Sequence, residues 1–263
     1  MWKLLLIPPF LYVAVAAILF MAQTRLLFPA RLALPAGPPP ASAERLEIAA
    51  ASGDRLHGLH VPPSAPGGER LLILGFGGNA WNAGAAAEYL HELFPQAAVV
   101  AFHYRGYAPS GGSPSAAALQ EDARLVHDFA RERLHPRRVV AVGFSVGSGV
   151  AASLAAHRPL DGLILVTPFD SLGAVGADHY PWMPVRLLLR HRMEPARDLE
   201  GVGVPVALIA AERDTLIPPA RTEALRRAVA NLAFDRTIAG AGHNDIYQRP
   251  DFRQAMREAL ARF

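Results

Sequence analysis

Along most of the chain, short apolar runs alternate with longer stretches in which apolar residues return every three or four positions. The runs 71–74, 98–102, 139–142, 163–166 and 206–209 are built from Val, Ile, Leu, Ala and Phe without an interior polar residue. Such runs predict strands buried on both faces of a parallel sheet. Residues 85–94, 116–134, 146–157 and 219–229 lie between or after them and predict helices. Two more polar segments, 44–50 and 55–61, flank Ser52-Gly53-Asp54 and predict an opening hairpin. A last strand at 234–238 and a closing helix at 249–262 complete the order. The pattern predicts an α/β fold: a mostly parallel central sheet with helices on both faces.

Two stretches break the alternation. Residues 170–200 contain no strand pattern, and Trp182, Met183, Val185 and Leu187-Leu188-Leu189 mix there with Arg186, Arg190, His191 and Arg192. An insertion after a strand's carboxyl end overlies the ligand crevice, so this stretch reads as a small cap, with Trp182 and Met183 as candidate substrate contacts. The second stretch is N-terminal. Every residue from 4 to 22 is apolar, Pro or Tyr, a stretch that as a helix nearly crosses a hydrocarbon core of about 30 Å and reads as one membrane-spanning helix. A cleaved signal peptide is the rival reading, with Lys3 as its positive start and Ala14-Val15-Ala16 as its cleavage site. Cleavage there would leave Ile18-Leu19-Phe20-Met21 exposed, which favours an uncleaved anchor. Pro8-Pro9 is a candidate kink. Arg25 and Arg31 beyond the span balance Lys3 and the terminal amine before it, so orientation stays open. Residues 34–40, Leu-Pro-Ala-Gly-Pro-Pro-Pro, read as a stiff spacer. The division expected is an anchor over 1–23, a Pro-rich linker over 24–43, and a catalytic domain over 44–263 with the cap at about 170–200.

Composition narrows the function without naming it. The 263 residues are 51% hydrophobic and 19% charged, enough for a sizeable core, and no repeat suggests a solenoid. A formal charge of +3, spread along the chain without a dense basic tract, argues against nucleic-acid binding. With no cysteine there is no disulfide framework, thiolate metal site or Cys nucleophile.

The candidate chemistry lies at strand ends. Gly143-Phe144-Ser145-Val146-Gly147 follows the strand 139–142 and opens the small-residue helix after it. A serine on a strained strand-to-helix turn needs glycines two before and two after, because neighbouring chain comes very close. The competing reading is a dinucleotide loop, since Gly147-Ser148-Gly149-Val150-Ala151-Ala152 mimics its glycine spacing. That loop would open directly from the strand and be followed by an acid at the end of the next strand; Asp161 instead precedes it. A serine hydroxyl needs a His to accept its proton and an acid to hold that His, in chain order Ser, acid, His. Asp214 follows the strand 206–209, and His243 lies in Gly240-Ala241-Gly242-His243-Asn244-Asp245 before the closing helix. Asp214 could instead cap the helix near Pro219, with Glu212 and Asp170 in reserve as the acid. His57 and His60, three apart on a strand, point to opposite faces and make a poor metal pair. An oxyanion needs two backbone donors: one is Val146, and the other is expected from Gly75-Phe76-Gly77-Gly78-Asn79-Ala80, where Gly77 and Gly78 let backbone approach a bound carbonyl.

The combination resembles the membrane-tethered α/β-hydrolase-domain proteins, relatives of acyl-protein depalmitoylases and of esterase and peptidase-like serine hydrolases. Gly77-Gly78-Asn79-Ala80 is similar to the family's His-Gly-Asn-Ala turn, which implies that Asn79 carries the second donor. The segment from Tyr104 to Gly112 is similar to its Tyr-Arg-Gly-Tyr loop, and Gln23 to Pro29 to its membrane-exit segment. The chain departs from that pattern at Gly77 in place of His, His103 in place of Asp and Ala108 in place of Gly. The resemblance implies the α/β-hydrolase fold with a triad of Ser145, Asp214 and His243. The expected function is hydrolysis of an ester or thioester, a lipid or acyl-chain substrate being favoured, with no metal or organic cofactor and with the membrane as partner through the N-terminal helix. A peptidase with the same triad and a non-catalytic tethered binding protein are the alternatives.

Overall fold

In a computed structural model, which describes residues 7–33, 39–64 and 70–263, one eight-stranded sheet organises the chain. Lys3 and residues 34–38 of the expected spacer lie outside the described residues. The strands are β1 (Glu44–Ala49), β2 (Arg55–Val61), β3 (Leu71–Phe76), β4 (Ala98–Phe102), β5 (Arg138–Phe144), β6 (Gly162–Val166), β7 (Val206–Ala211) and β8 (Leu232–Ile238). Their order is β1-β2-β4-β3-β5-β6-β7-β8. The first hairpin joins antiparallel, β1 on β2 and β2 on β4, and every pairing from β4 to β8 is parallel. This is the α/β-hydrolase architecture.

The central strands are buried on both faces, as apolar runs without alternation require. Odd and even positions split between two cores. Leu72, Leu74, Val139, Ala141, Leu163 and Leu165 pack on one face against α3 (Ala116–Leu134) and α4 (Val146–His157). Ile73, Val140, Val142, Ile164 and Ile209 pack on the other against α2 (Ala83–Leu93) and α9 (Pro250–Leu260). Each fully buried Leu, Ile or Val contributes about 1.5–3 kcal/mol. Local signals set the helix starts: Asn82, Ser115 and Ser171 accept the N–H groups of Gly84, Ala118 and Ala174.

Residues 170–200 hold three short helices, α5 (Leu172–His179), α6 (Val185–Leu188) and α7 (Pro195–Asp198). At the other end of the chain, α1 (Ile7–Leu27) places Pro8 and Pro9 in its first described turn. The stretch Phe10–Leu32 has mean hydropathy 1.8 and is long and apolar enough to cross a membrane. Its outer side chains are bare, Phe10 at 76% and Met21 at 69% exposed. The helix runs on to Leu27, and Phe28 enters the core, so the first part of the segment read as linker packs on the hydrolase layers. The apolar character of Leu27 and Phe28 outweighs the linker character that the prolines bring further on. The last helix before the site, α8 (Pro219–Ala228), packs on β7.

Candidate active site

Ser145 sits at the carboxyl end of β5 with φ 51° and ψ −116°, a left-handed conformation that strains any residue with a Cβ. The surrounding chain enforces it. Ser145 N–H donates to Val166 C=O at 2.9 Å, and Ser148 donates to Ser145 C=O through its N–H and its hydroxyl at 2.8 and 2.6 Å. The two glycines are needed for space: a Cβ on Gly143 would stand 2.4 Å from Gly147 O, and one on Gly147 would stand 2.1 Å from Phe76 O and 2.6 Å from Gly77 O. The turn is thus pressed against the loop after β3. Gly147 and Gly149 are buried inside α4, leaving no phosphate cradle of the dinucleotide kind.

Three elements distant in sequence meet at this serine. His243 Nε2 lies 3.0 Å from Ser145 Oγ, and His243 Nδ1 lies 2.7 Å from Asp214 Oδ2. Both the acid and the imidazole are buried. The other carboxylate oxygen of Asp214 accepts from Leu216 and Ile217 N–H at 2.9 and 2.7 Å, which fixes its plane. Asp214 is therefore bonded to His243 and to its own loop, not to the first turn of α8. The two reserve acids are used elsewhere. Glu212 accepts from Gly240 N–H at 2.7 Å, and Asp170 pairs with Arg221 at 3.2 Å. The His243 loop is clamped further by Arg249, which donates to Gly240 C=O and to Asp245. Tyr247 packs edge-on to Phe144 and Trp81 behind the serine, and burial pushes its phenol up to about 12.

Asn79 and Val146 flank Ser145 in the lining of one cavity of about 510 Å³. Val146 is the first residue of α4, where N–H groups have no partner within the helix. The loop bearing Asn79 is held by two buried tyrosines: Tyr104 OH donates to Gly77 C=O at 2.8 Å and Tyr107 OH to Asn79 C=O at 2.6 Å. Burial raises both phenols above their ordinary value, so they remain donors. Between them Arg105 forms a buried ion pair with Asp122 of α3, its Nε 3.1 Å from Oδ2. The sequence marked this loop only as a likeness, and its task of holding the turn through two phenols depends on a fold contact no spacing reveals. His103, just before it, is driven down to about 4, first by burial and then by His57.

The cavity walls are mostly apolar, with Gln23, His179 and Tyr180 among the lining residues. Leu172, Val175, Val185, Leu188 and Leu189 come from the cap, with Phe169 below them. Met183 is also in the lining. Trp182 is not; it is half exposed, edge-on to Tyr12 and Tyr180. Gly77 and Gly78 are also absent from the lining. Their missing side chains make room for Trp81, whose Cβ would be 2.9 Å from a Cβ on Gly77. Sequence reasoning missed another wall altogether, formed by α1 through Leu19, Phe20, Leu26 and Leu27. Among the described residues no group of three or more His, Cys, Asp or Glu is placed to hold a metal.

Comparison with known proteins bears on the family and the fold. A family model described as alpha/beta hydrolase fold matches residues 71–198. An uncharacterized protein of Mycobacterium tuberculosis, Rv2307c, is 35% identical over 221 residues, covering 80% of this chain and 78% of that one. Lysophosphatidylserine lipase ABHD12 of Danio rerio is 26% identical over 191 residues, 62% of this chain and 50% of its own. Among solved structures, the Pyrococcus furiosus esterase Pf2001 superposes with a TM-score of 0.67 at 18% identity, covering 89% of this chain and 92% of that chain, a likeness of fold.

Proposed function

With the chain a member of the alpha/beta-hydrolase family, and hence a hydrolase, we propose that it is a membrane-anchored serine esterase acting on an acyl ester of lipid character. The observation that carries this reading is the bonded series Ser145, His243, Asp214 opening into an apolar cavity. Asp214 accepts a hydrogen bond from the Nδ1–H of His243, which holds the tautomer that leaves Nε2 as the base. Nε2 takes the Ser145 proton as Oγ attacks the ester carbonyl, and the N–H groups of Asn79 and Val146 take up the charge on its oxygen. His243 then passes the proton to the leaving alcohol, and an acyl-serine remains. Water, deprotonated by the same imidazole, attacks that acyl group; the carboxylic acid departs and Ser145 regains its proton. Thioesters follow the same course with a thiol leaving group.

The apolar lining supports an acyl chain as the recognised part. At roughly 30 Å³ for each methylene-sized unit, the 510 Å³ holds on the order of 15 chain atoms. The name of the Danio rerio relative, a lysophosphatidylserine lipase, supports a single-chain lipid ester. Helix α1 serves as the anchor, the residues after Leu27 connect it to the catalytic domain over 44–263, and the cap over about 170–200 selects the chain. Labelling with a fluorophosphonate probe tests the reading. Ser145 is expected to be labelled in the native protein and Ser145→Ala to be unlabelled and inactive on p-nitrophenyl esters. Equal labelling of both proteins would sink the assignment. On an ester series kcat/KM is expected to rise by up to ~4-fold per methylene until the cavity is full, and indifference to chain length would sink the lipid reading alone.

A further inference from the structure

A tether needs only to span the bilayer, yet α1 does more. Leu19, Phe20, Gln23, Leu26 and Leu27 all line the cavity that holds Ser145. Their spacing, i, i+1, i+4, i+7 and i+8, is one stripe of a helix. Ile18, Met21 and Arg25 are exposed and absent from the lining. Phe20 and Leu26 are part-exposed at the cavity mouth, so what separates the two faces is that one borders the cavity and the other does not.

Polar bonds set which face turns inward. Gln23, the first strongly polar residue after the apolar run of the helix, is 7% exposed. Its Oε1 accepts Arg190 N–H at 2.8 Å, while its Nε2 donates to Phe20 C=O of its own helix at 2.8 Å and, more weakly, to Leu188 C=O at 3.4 Å. One residue on, Thr24 Oγ1 meets His191 Nε2 at 2.7 Å. Further up, Tyr12 OH donates to Trp182 C=O at 3.2 Å, and Phe28 packs edge-on to His191. From Tyr12 to Leu27 the helix follows the cap for about 22 Å. The bond from Arg190 N–H ties this buried amide to the cap and fixes rotation as well as contact, and rotation is what a passive tether has no need of.

We propose that α1 is a wall of the substrate site: the acyl chain of the ester lies between the stripe from Leu19 to Leu27 and the cap helices α5 and α6, with its carbonyl at Ser145. This rests on the esterase reading of Ser145 and adds the wall that determines which chain fits. It also gives the Gln23 and Thr24 bonds a purpose, since they hold the stripe toward the cavity. The chain then reaches the serine along the same helix whose outer face meets lipid.

The test uses the full-length protein in detergent, with p-nitrophenyl acetate and laurate as probes. Leu19→Trp and Leu26→Trp each fill the wall and are expected to lower the laurate-to-acetate ratio of kcat/KM by tenfold or more, as two or more methylenes lose their place at ~4-fold each. Leu19→Ala is expected to shift the preferred chain longer. Ile18→Trp and Met21→Trp, on the bare face, are expected to keep the native ratio. Fluorophosphonate labelling of every variant reports an intact Ser145 site. An unchanged ratio in the wall variants, or an equal fall in the bare-face variants, overturns the wall while leaving the esterase reading in place. A native protein that is neither labelled nor active on any ester overturns that reading, and the wall with it.

Discussion

Tyr107→Phe is expected to slow turnover while leaving KM nearly unchanged. The substitution keeps a buried ring, edge-on to Tyr104 with centroids 5.7 Å apart, and removes only the hydroxyl. That hydroxyl donates at 2.6 Å to the carbonyl of Asn79, the residue whose N–H faces the cavity beside Ser145 in the proposed mechanism. The net value of one such bond is about 0.5–1.5 kcal/mol. If all of it belonged to folding, a chain of this size would lose roughly 2–4 °C in Tm per kcal/mol and keep its kcat. If the bond holds the turn in place for the oxyanion, the loss falls on the transition state, and about 1–1.4 kcal/mol there is a five- to tenfold fall in kcat. Complete loss of an oxyanion donor would cost about 2.7–4 kcal/mol, so a five- to tenfold fall corresponds to a displaced donor and not a missing one. The assay is Michaelis kinetics on a short ester together with thermal unfolding. Asp161→Ala is the control, because Asp161 accepts Val139 N–H at 2.7 Å at the start of β5, the end away from the serine. A Tyr107→Phe protein that loses Tm like the control but keeps kcat within about twofold would refute the argument and leave the phenol a purely structural bond.

Gly147→Ala is expected to prevent stable folding, because its Cβ would stand 2.1 Å from the backbone oxygen of Phe76, and the cost exceeds about 3 kcal/mol; a soluble variant with native Tm would contradict the packing of the turn. Asp214→Asn is expected to lower kcat by about 10⁴-fold, since an amide no longer selects the tautomer with Nε2 free; the short-ester assay reads it, and a loss below tenfold would remove Asp214 from the triad. His103 is held down to about 4 in the fold against 6.5 when unfolded, so in that window the unfolded chain binds the extra proton. Stability is therefore expected to fall as pH drops from 6.5 toward 4, by on the order of 1–2 kcal/mol after allowance for the solvent that reaches the ring. His103→Gln should flatten that part of a denaturation series against pH, and an unchanged slope would exclude His103 as its source.

Much of the architecture can be read from local pattern, because a parallel strand buried on both faces must be uniformly apolar and the runs from Leu71 to Ile209 are. The turn around Ser145 was legible for a similar reason: a serine with φ of 51° tolerates only glycine where the chain doubles back against the β3 loop. Asp214 and His243 could be chosen by order along the chain, but that they meet, at 2.7 Å, comes from the parallel pairing of β6 on β7 and β7 on β8, which brings the strand ends to one edge. Trp182 shows the limit of composition. An aromatic in a cap reads as a substrate contact, whereas the structure packs Trp182 edge-on to Tyr12, because a side chain's direction there depends on which helix covers the segment.

The sequence by itself determined the layer order, the strained serine and an N-terminal helix apolar enough for a bilayer, all of which are written in residue type and spacing within a few turns of chain. Only the tertiary structure decided that two tyrosines hold the Asn79 turn, that Glu212 and Asp170 are occupied elsewhere, and that α1 lies along the cap as a side of the cavity. Those facts depend on contacts between residues separated by up to 170 positions, such as Tyr12 and Trp182. An apolar helix looks the same in sequence whether its neighbour is lipid or protein, and only the bonds of Gln23 and Thr24 to the cap distinguish the two.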